Sequence, residues 1–261
     1  MFPETTFTLL QNEGYLMQGC FKSSLRELRQ SSNAEPGQFY FTFFNYAIGL
    51  ERLLKIILML AQWRKERKFP TDDELKKHGG NSGHNLVKLY ESVRPLFPEY
   101  KVEWKTNWNL DAINKDLLDF LASFANGNRY FNLNQLTGST KSHGENPMYS
   151  WQRLFYRVYE QDCPNVEKKA RRPDVPEDAM SDSEIWSHHV IMAAASSHVC
   201  WRLVQLLIPL QVLLIAIREQ IQNDDFKLNG ADTEPSVPFM EEFLDFVCED
   251  KAIILKAEDW P

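Results

Sequence analysis

The sequence predicts an all-α protein: a helical bundle with a long, kinked C-terminal helix and few or no strands. Three observations carry this. In residues 39–63, Phe43, Ala47, Leu50, Leu54, Ile57, Leu58 and Ala61 recur at helical intervals. Ile56, Met59, Leu60 and Trp63 widen that stripe almost to a full circle, which belongs to a helix in the middle of a bundle. From Ile185 through His189, Met192, Ser196, Val199, Leu203, Leu206, Leu210 and Leu213 to Ile217, steps of four and three alternate as a heptad-like seam. Between these two runs lie shorter amphipathic stretches bounded by capping residues and breakers, with no internal repeat that would build a solenoid.

In chain order, Phe7 to Leu10 reads as a short strand or an arm laid on the bundle. From Gly14 to Gln30, Leu16, Cys20, Phe21, Leu25 and Leu28 fit one helical stripe, and residues 31–37 supply the breakers of a turn into the central helix. That helix runs out at Arg64, Lys65, Arg67 and Lys68. These cations suit its negative C-terminal end, or form a phosphate-binding patch. Pro70 blocks continuation, and Thr71 to Glu74 can cap a short helix leading to Gly79-Gly80. Ser82 reads as the N-cap of a helix carrying Leu86, Leu89, Tyr90 and Val93, which places His84 in its first turn.

Residues 97–109, with Trp104 and Trp108, read as a connection with some strand character. Ile113, Leu117, Phe120, Leu121 and Phe124 mark a helix started near Asn109 or Asp111 and stopped at Asn126-Gly127. The polar and aromatic loop 128–134 follows, then a flexible stretch with His143. Trp151, Leu154, Phe155, Val158 and Tyr159 line the inner side of the next helix. A basic run at 168–172 turns acidic at 174–182, the best candidate boundary. The organisation expected is therefore a bundle over 1–160, a charged linker or surface loop over 161–180, and C-terminal helices over 181–261 packed on the same bundle. Ser181 and Glu184 have capping-box spacing, Pro209 should kink or divide the long helix, and Asn223 to Asp225 should end it. A last helix around Phe239 to Val247 finishes the chain, with residues 252–255 extending it or forming a terminal strand.

The formal charge of −7 argues against broad, non-specific attraction to nucleic acid, though it leaves room for a local basic groove. Cys20, Cys163, Cys200 and Cys248 are widely spaced and read as free thiols of a reducing cytoplasm. No basic-then-apolar leader opens the chain. The most lipid-like stretch, Val199 to Ile217, is interrupted by Arg202, Gln205, Pro209 and Gln211, so a buried core helix is expected and no membrane partner.

Little conventional chemistry is encoded. Glu184, His188, His189 and His198 share the long helix, but no H-E-x-x-H occurs and no metal or cofactor is expected. Phosphate-loop, dinucleotide and G-x-S-x-G motifs are also missing. What stands out is Glu51 and Lys55, one helical turn apart, together with His84, Asn85 and Arg129. At a helix start the positive dipole end would favour a neutral His84 able to accept a proton or hydrogen bond. Alternatively, Glu51, Lys55 and His84 form a buried polar bridge that fixes helix register.

Gly49-Leu50-Glu51-Arg52-Leu53-Leu54-Lys55, then Ser82-Gly83-His84-Asn85-Leu86, then Asn128-Arg129-Tyr130, resembles the HEPN superfamily (higher eukaryotes and prokaryotes nucleotide-binding domains). Its members often carry an E-x-x-x-K helix, a G-H-[DN]-L helix start and a later R-Y. The resemblance spans roughly residues 39–136. It implies a helical bundle, frequent homodimers, and roles in RNA cleavage, RNA or nucleotide binding, antiphage defence or toxin–antitoxin pairing. Ribonuclease members use R-x(4-6)-H; here the places after Arg129 hold Asn134, Gln135 and Leu136, so the usual imidazole is missing.

The expected function is thus binding of RNA, a nucleotide or a protein partner without conventional HEPN catalysis, with Glu51, Lys55, His84, Asn85 and Arg129 at the site. The alternatives are a metal-independent ribonuclease using His84 and Arg129, or a helical dimerisation protein pairing through the seam from Ile185 to Ile217.

Overall fold

The computed structural model describes residues 5–30, 36–80, 83–102, 111–138, 145–163, 180–230 and 234–260, with the backbone alone for 36 and 180–194. Among them every regular element is helical and none is a strand. Helix α1 (Thr6–Gln30) begins earlier than its sequence suggests. The Thr5 hydroxyl accepts the Thr8 N–H at 3.2 Å, and Leu10, Gly14, Met17, Phe21 and Leu25 continue one buried stripe, so Phe7 to Leu10 is helix. Leu16, expected inside, is exposed. Gly14, within the helix, gives the Phe243 ring room: a Cβ there would sit 2.3 Å from it.

Helix α2 (Pro36–Glu66) takes Pro36 and Gly37 into its first turn, where proline's fixed φ costs nothing. Its core residues, among them Phe43, Tyr46, Leu50, Leu53, Leu54, Ile57 and Leu60, occupy most of its circumference and leave one face, through Phe41, Phe44, Ile48, Glu51 and Lys55, partly open. Helix α3 (Asp72–His78) has the capping box of Thr71 and Glu74. Helix α4 (Leu86–Val93) is capped by Asn85, whose Oδ1 accepts the Lys88 N–H at 3.0 Å; Ser82, expected as the cap, lies outside the described residues. After the single turn α5 (Leu96–Glu99) comes α6 (Ala112–Ala125), where Asp111 accepts the Asn114 N–H at 2.8 Å. Trp104 and Trp108 fall outside the described residues.

Residues 128–134, read as a loop, are a 3-10 turn (Asn128–Tyr130) running into α7 (Phe131–Leu136). Helix α8 (Pro147–Asp162) buries Trp151, Leu154, Phe155, Val158 and Tyr159. His143 and the charge reversal at 168–179 lie outside the described residues. Helix α9 (Met180–Asn229) is one element: Pro209, expected to kink or divide it, lies inside the undivided helix, and it continues through Asn223 to Asp225, which were expected to end it. Asp224 and Asp225 are held there by Arg64 and Arg67 of the α2 end, at 3.2 and 2.5 Å. A 3-10 segment (Met240–Leu244) and α10 (Lys251–Lys256) close the chain, so residues 252–255 form no strand.

Helix α2 is the central post, packed by α1, α4, α6 and α9, while α9 also lies on α1, α6 and α8. The Tyr46 hydroxyl donates to the Leu203 carbonyl at 2.7 Å, joining α2 to α9 deep inside. Phe43 meets Trp151 at 4.4 Å and Phe120 edge-on at 4.8 Å, the hub of an aromatic cluster shared by α2, α6 and α8. Val199, Leu203, Leu206, Leu210, Leu213 and Ile217 are fully buried against this chain's own helices. That part of the seam is therefore unavailable to a second copy. Residues 195–229 are long and apolar enough to cross a membrane, but 67% of the most apolar window is buried in the bundle.

Candidate functional site

Helices α1, α2 and α3, the loop before α4, and the α6 end with the 3-10 turn after it surround an open cleft of about 800 Å³. Its wall is the α2 face bearing Phe44, Ile48, Glu51, Arg52 and Lys55, one turn after another. His84 enters from the loop before α4, and Arg129 from the 3-10 turn after α6. Glu51, Lys55, His84 and Arg129 thus line one space, although they come from three separate stretches of sequence.

A single oxygen organises the polar end. Glu51 Oε1 accepts from Lys55 Nζ at 2.7 Å and from His84 Nδ1 at 2.8 Å. A carboxylate only accepts, so Nδ1 carries the hydrogen of this contact, and the neutral tautomer that fits it has its lone pair on Nε2. The His84 side chain is 59% exposed, whereas Glu51 and Lys55 are 20% and 21% exposed. His84 is not in the first turn of α4, because Asn85 is the cap and His84 precedes it; the Glu51 carboxylate, rather than the helix dipole, sets the ring's hydrogen bonding. Asn85 is not among the cleft-lining residues, and its Oδ1 is engaged in capping.

Arg129 has a different environment. Its guanidinium carbon lies 5.2 Å from the Phe44 ring centre and 5.0 Å from that of Tyr130, within cation–π range. Its Nε is buried with no hydrogen-bond partner, and no carboxylate pairs with it among the described residues. Arg52, by contrast, is matched by Glu13 of α1. Three cations therefore face two carboxylates in the cleft, leaving Arg129 as the unmatched charge.

Other candidates are already neutralised. Lys65 pairs with Glu99 at 2.8 Å, as Arg64 and Arg67 do with Asp224 and Asp225, so these three cations at the end of α2 fasten helices. A second groove of about 490 Å³, between α6 and α8, is bordered by the Arg157–Asp116 and Arg153–Glu145 pairs. Burial raises the Cys200 thiol to about 12, and burial with Asp162 raises that of Cys163 to about 11, so neither is a thiolate at neutral pH. No group of three His, Cys, Asp or Glu residues able to hold a metal occurs among the described residues. The side chains of Glu184, His188 and His189 lie outside that set.

Sequence reading missed Phe44, Glu13 and Arg52. Phe44 belongs to the same apolar run as its buried neighbours Phe43 and Ala47, and only packing leaves it 39% exposed. Glu13 lies 39 positions from Arg52, with no local pattern to link them. No protein-family model, curated protein or solved structure matches this chain.

Proposed function

We propose that the cleft binds a phosphate-bearing ligand, an RNA segment or a nucleotide, as the HEPN-like order of its polar groups implies. The carrying observation is the uncompensated Arg129, stacked on Phe44 and Tyr130 with a buried Nε lacking an acceptor. A buried donor without a partner costs about 1–3 kcal/mol, so an anionic oxygen brought to it returns that penalty. Guanidinium also matches phosphate oxygens bidentately. Lys55 and the Nε2 side of His84 supply further contacts along the same wall, and Phe44 supplies a ring face. A homodimer and a cytoplasmic setting in antiphage defence or toxin–antitoxin pairing accompany this reading through the resemblance.

The test is fluorescence-anisotropy titration with a labelled ten-nucleotide RNA of mixed sequence, with ATP and inorganic pyrophosphate as competitors. Arg129→Ala should weaken binding roughly tenfold or more and His84→Ala by less, since Arg129 carries the unmatched charge; both should retain wild-type circular dichroism. Unchanged affinity in Arg129→Ala would overturn the proposal.

The Glu51–His84 contact favours a second reading, a metal-independent ribonuclease. Here Nε2 takes the 2′-hydroxyl proton as that oxygen attacks phosphorus, the bond to the 5′-oxygen breaks, and water protonates the leaving oxygen. Arg129 offsets the charge gathering on phosphorus. Chelator-resistant cleavage that yields 2′,3′-cyclic phosphate ends and disappears in His84→Ala would select the enzyme.

A further inference from the structure

Helix α7 contains no buried residue. The segment that carries Arg129 into the cleft runs from Gly127, at φ +144°, to Gly138, at φ +61°. Both glycines stand in open space, with nothing within 4 Å of a Cβ built there, so what they provide is backbone freedom rather than room for a neighbour. Between them, Tyr130, Leu133 and Leu136 follow at three-residue steps and are 49%, 60% and 84% exposed. On the α2 wall of the cleft, Phe44 is 39% exposed. Arg129 already bridges the two, touching Phe44 on one side and Tyr130 on the other.

An amphipathic helix normally buries its apolar face, and isolated turns of this length do not persist on backbone hydrogen bonds alone. Exposed apolar groups on both sides of a cleft mouth, joined by one cation and bounded by two glycines, have the parts of a hinged cover. We propose that residues 128–137 act as a lid, swinging on Gly127 and Gly138 to press Tyr130, Leu133 and Leu136 against Phe44 when an anion engages Arg129. The lid rests on the cleft being the ligand site. Anion binding supplies the trigger, because it draws the guanidinium and its attached turn inward while the apolar contacts hold the closed state. The consequence is kinetic: the lid slows ligand escape more than it alters arrival.

Hydrogen exchange of the full chain, with and without the ten-nucleotide RNA and separately with ATP, tests this together with the variant Leu133→Ser/Leu136→Ser. Both leucines are exposed, so the double variant keeps the fold. The expected result is ligand-dependent protection of amides 128–137, and roughly tenfold faster release from the double variant with near-normal association. Binding with unchanged exchange in 128–137, or unchanged release from the variant, overturns the lid and leaves the cleft reading intact. Absence of binding by both RNA and ATP overturns the cleft reading and the lid with it.

Discussion

Arg202 is 5% exposed, yet it carries a full charge in the core. Its Nε and Nη2 donate to the two carboxylate oxygens of Asp162, at 2.7 and 2.8 Å, and its Nη1 reaches Asp111 and Asn114. One guanidinium thereby ties the end of α8 and the cap of α6 to α9. Removing one partner of such a pair is worse than removing both, because a lone charge stays behind in a poor solvent. Arg202→Met should cost about 3–5 kcal/mol in urea unfolding, and adding Asp162→Leu should restore a large part of it. Arg129 presents the opposite case, a cation whose neighbours are rings. The local sequences show little of this difference: Arg129 sits among polar and aromatic residues and Arg202 in an apolar helix, and which carboxylates reach either is a matter of helices distant in sequence.

At the scale of elements, the ends of α2 and α9 are latched where each would otherwise fray. Burial alone would push the Asp225 carboxyl up, but hydrogen bonds from Ser236 and the Arg67 guanidinium hold it below its ordinary 3.8. A depressed native value means that the stabilisation is fully present above 3.8 and is lost as pH falls through the native value. Urea midpoints of the wild type and Asp225→Asn should therefore differ by a constant amount between about pH 8 and 5, with the gap narrowing below about pH 4. A gap that widened with acid would count against the latch. The same pairing explains why Asn223 to Asp225 do not stop α9 as their propensities suggest: tertiary partners satisfy Asp224 and Asp225, and the helix runs on to Asn229. Pro209 likewise interrupts the apolar pattern without ending the helix.

For the whole molecule, α9 fills the groove left by α1, α2, α6 and α8, so the charged stretch before it joins parts of one core rather than two independent ones. A chain ending at residue 163 would expose the α2 surface around Tyr46 and Leu50, and should show no cooperative thermal transition by circular dichroism. The full chain should melt once. Two separate transitions in the full chain would refute a shared core. By itself the sequence determined the helical class, the central position of α2 and the buried faces of α6 and α8, because apolar spacing along a helix is a local signal that any compact fold must satisfy. It also marked Glu51, Lys55, His84 and Arg129 as polar residues worth following. Only the tertiary structure decided that these four share one cleft, that Asn85 caps a helix outside it, that Phe44 faces outward beside buried Phe43, and that the part of the α9 seam from Val199 to Ile217 is filled from within. Each of those outcomes depends on which distant helix comes to lie alongside, and that is settled by packing over the whole chain rather than by the neighbours of any one residue.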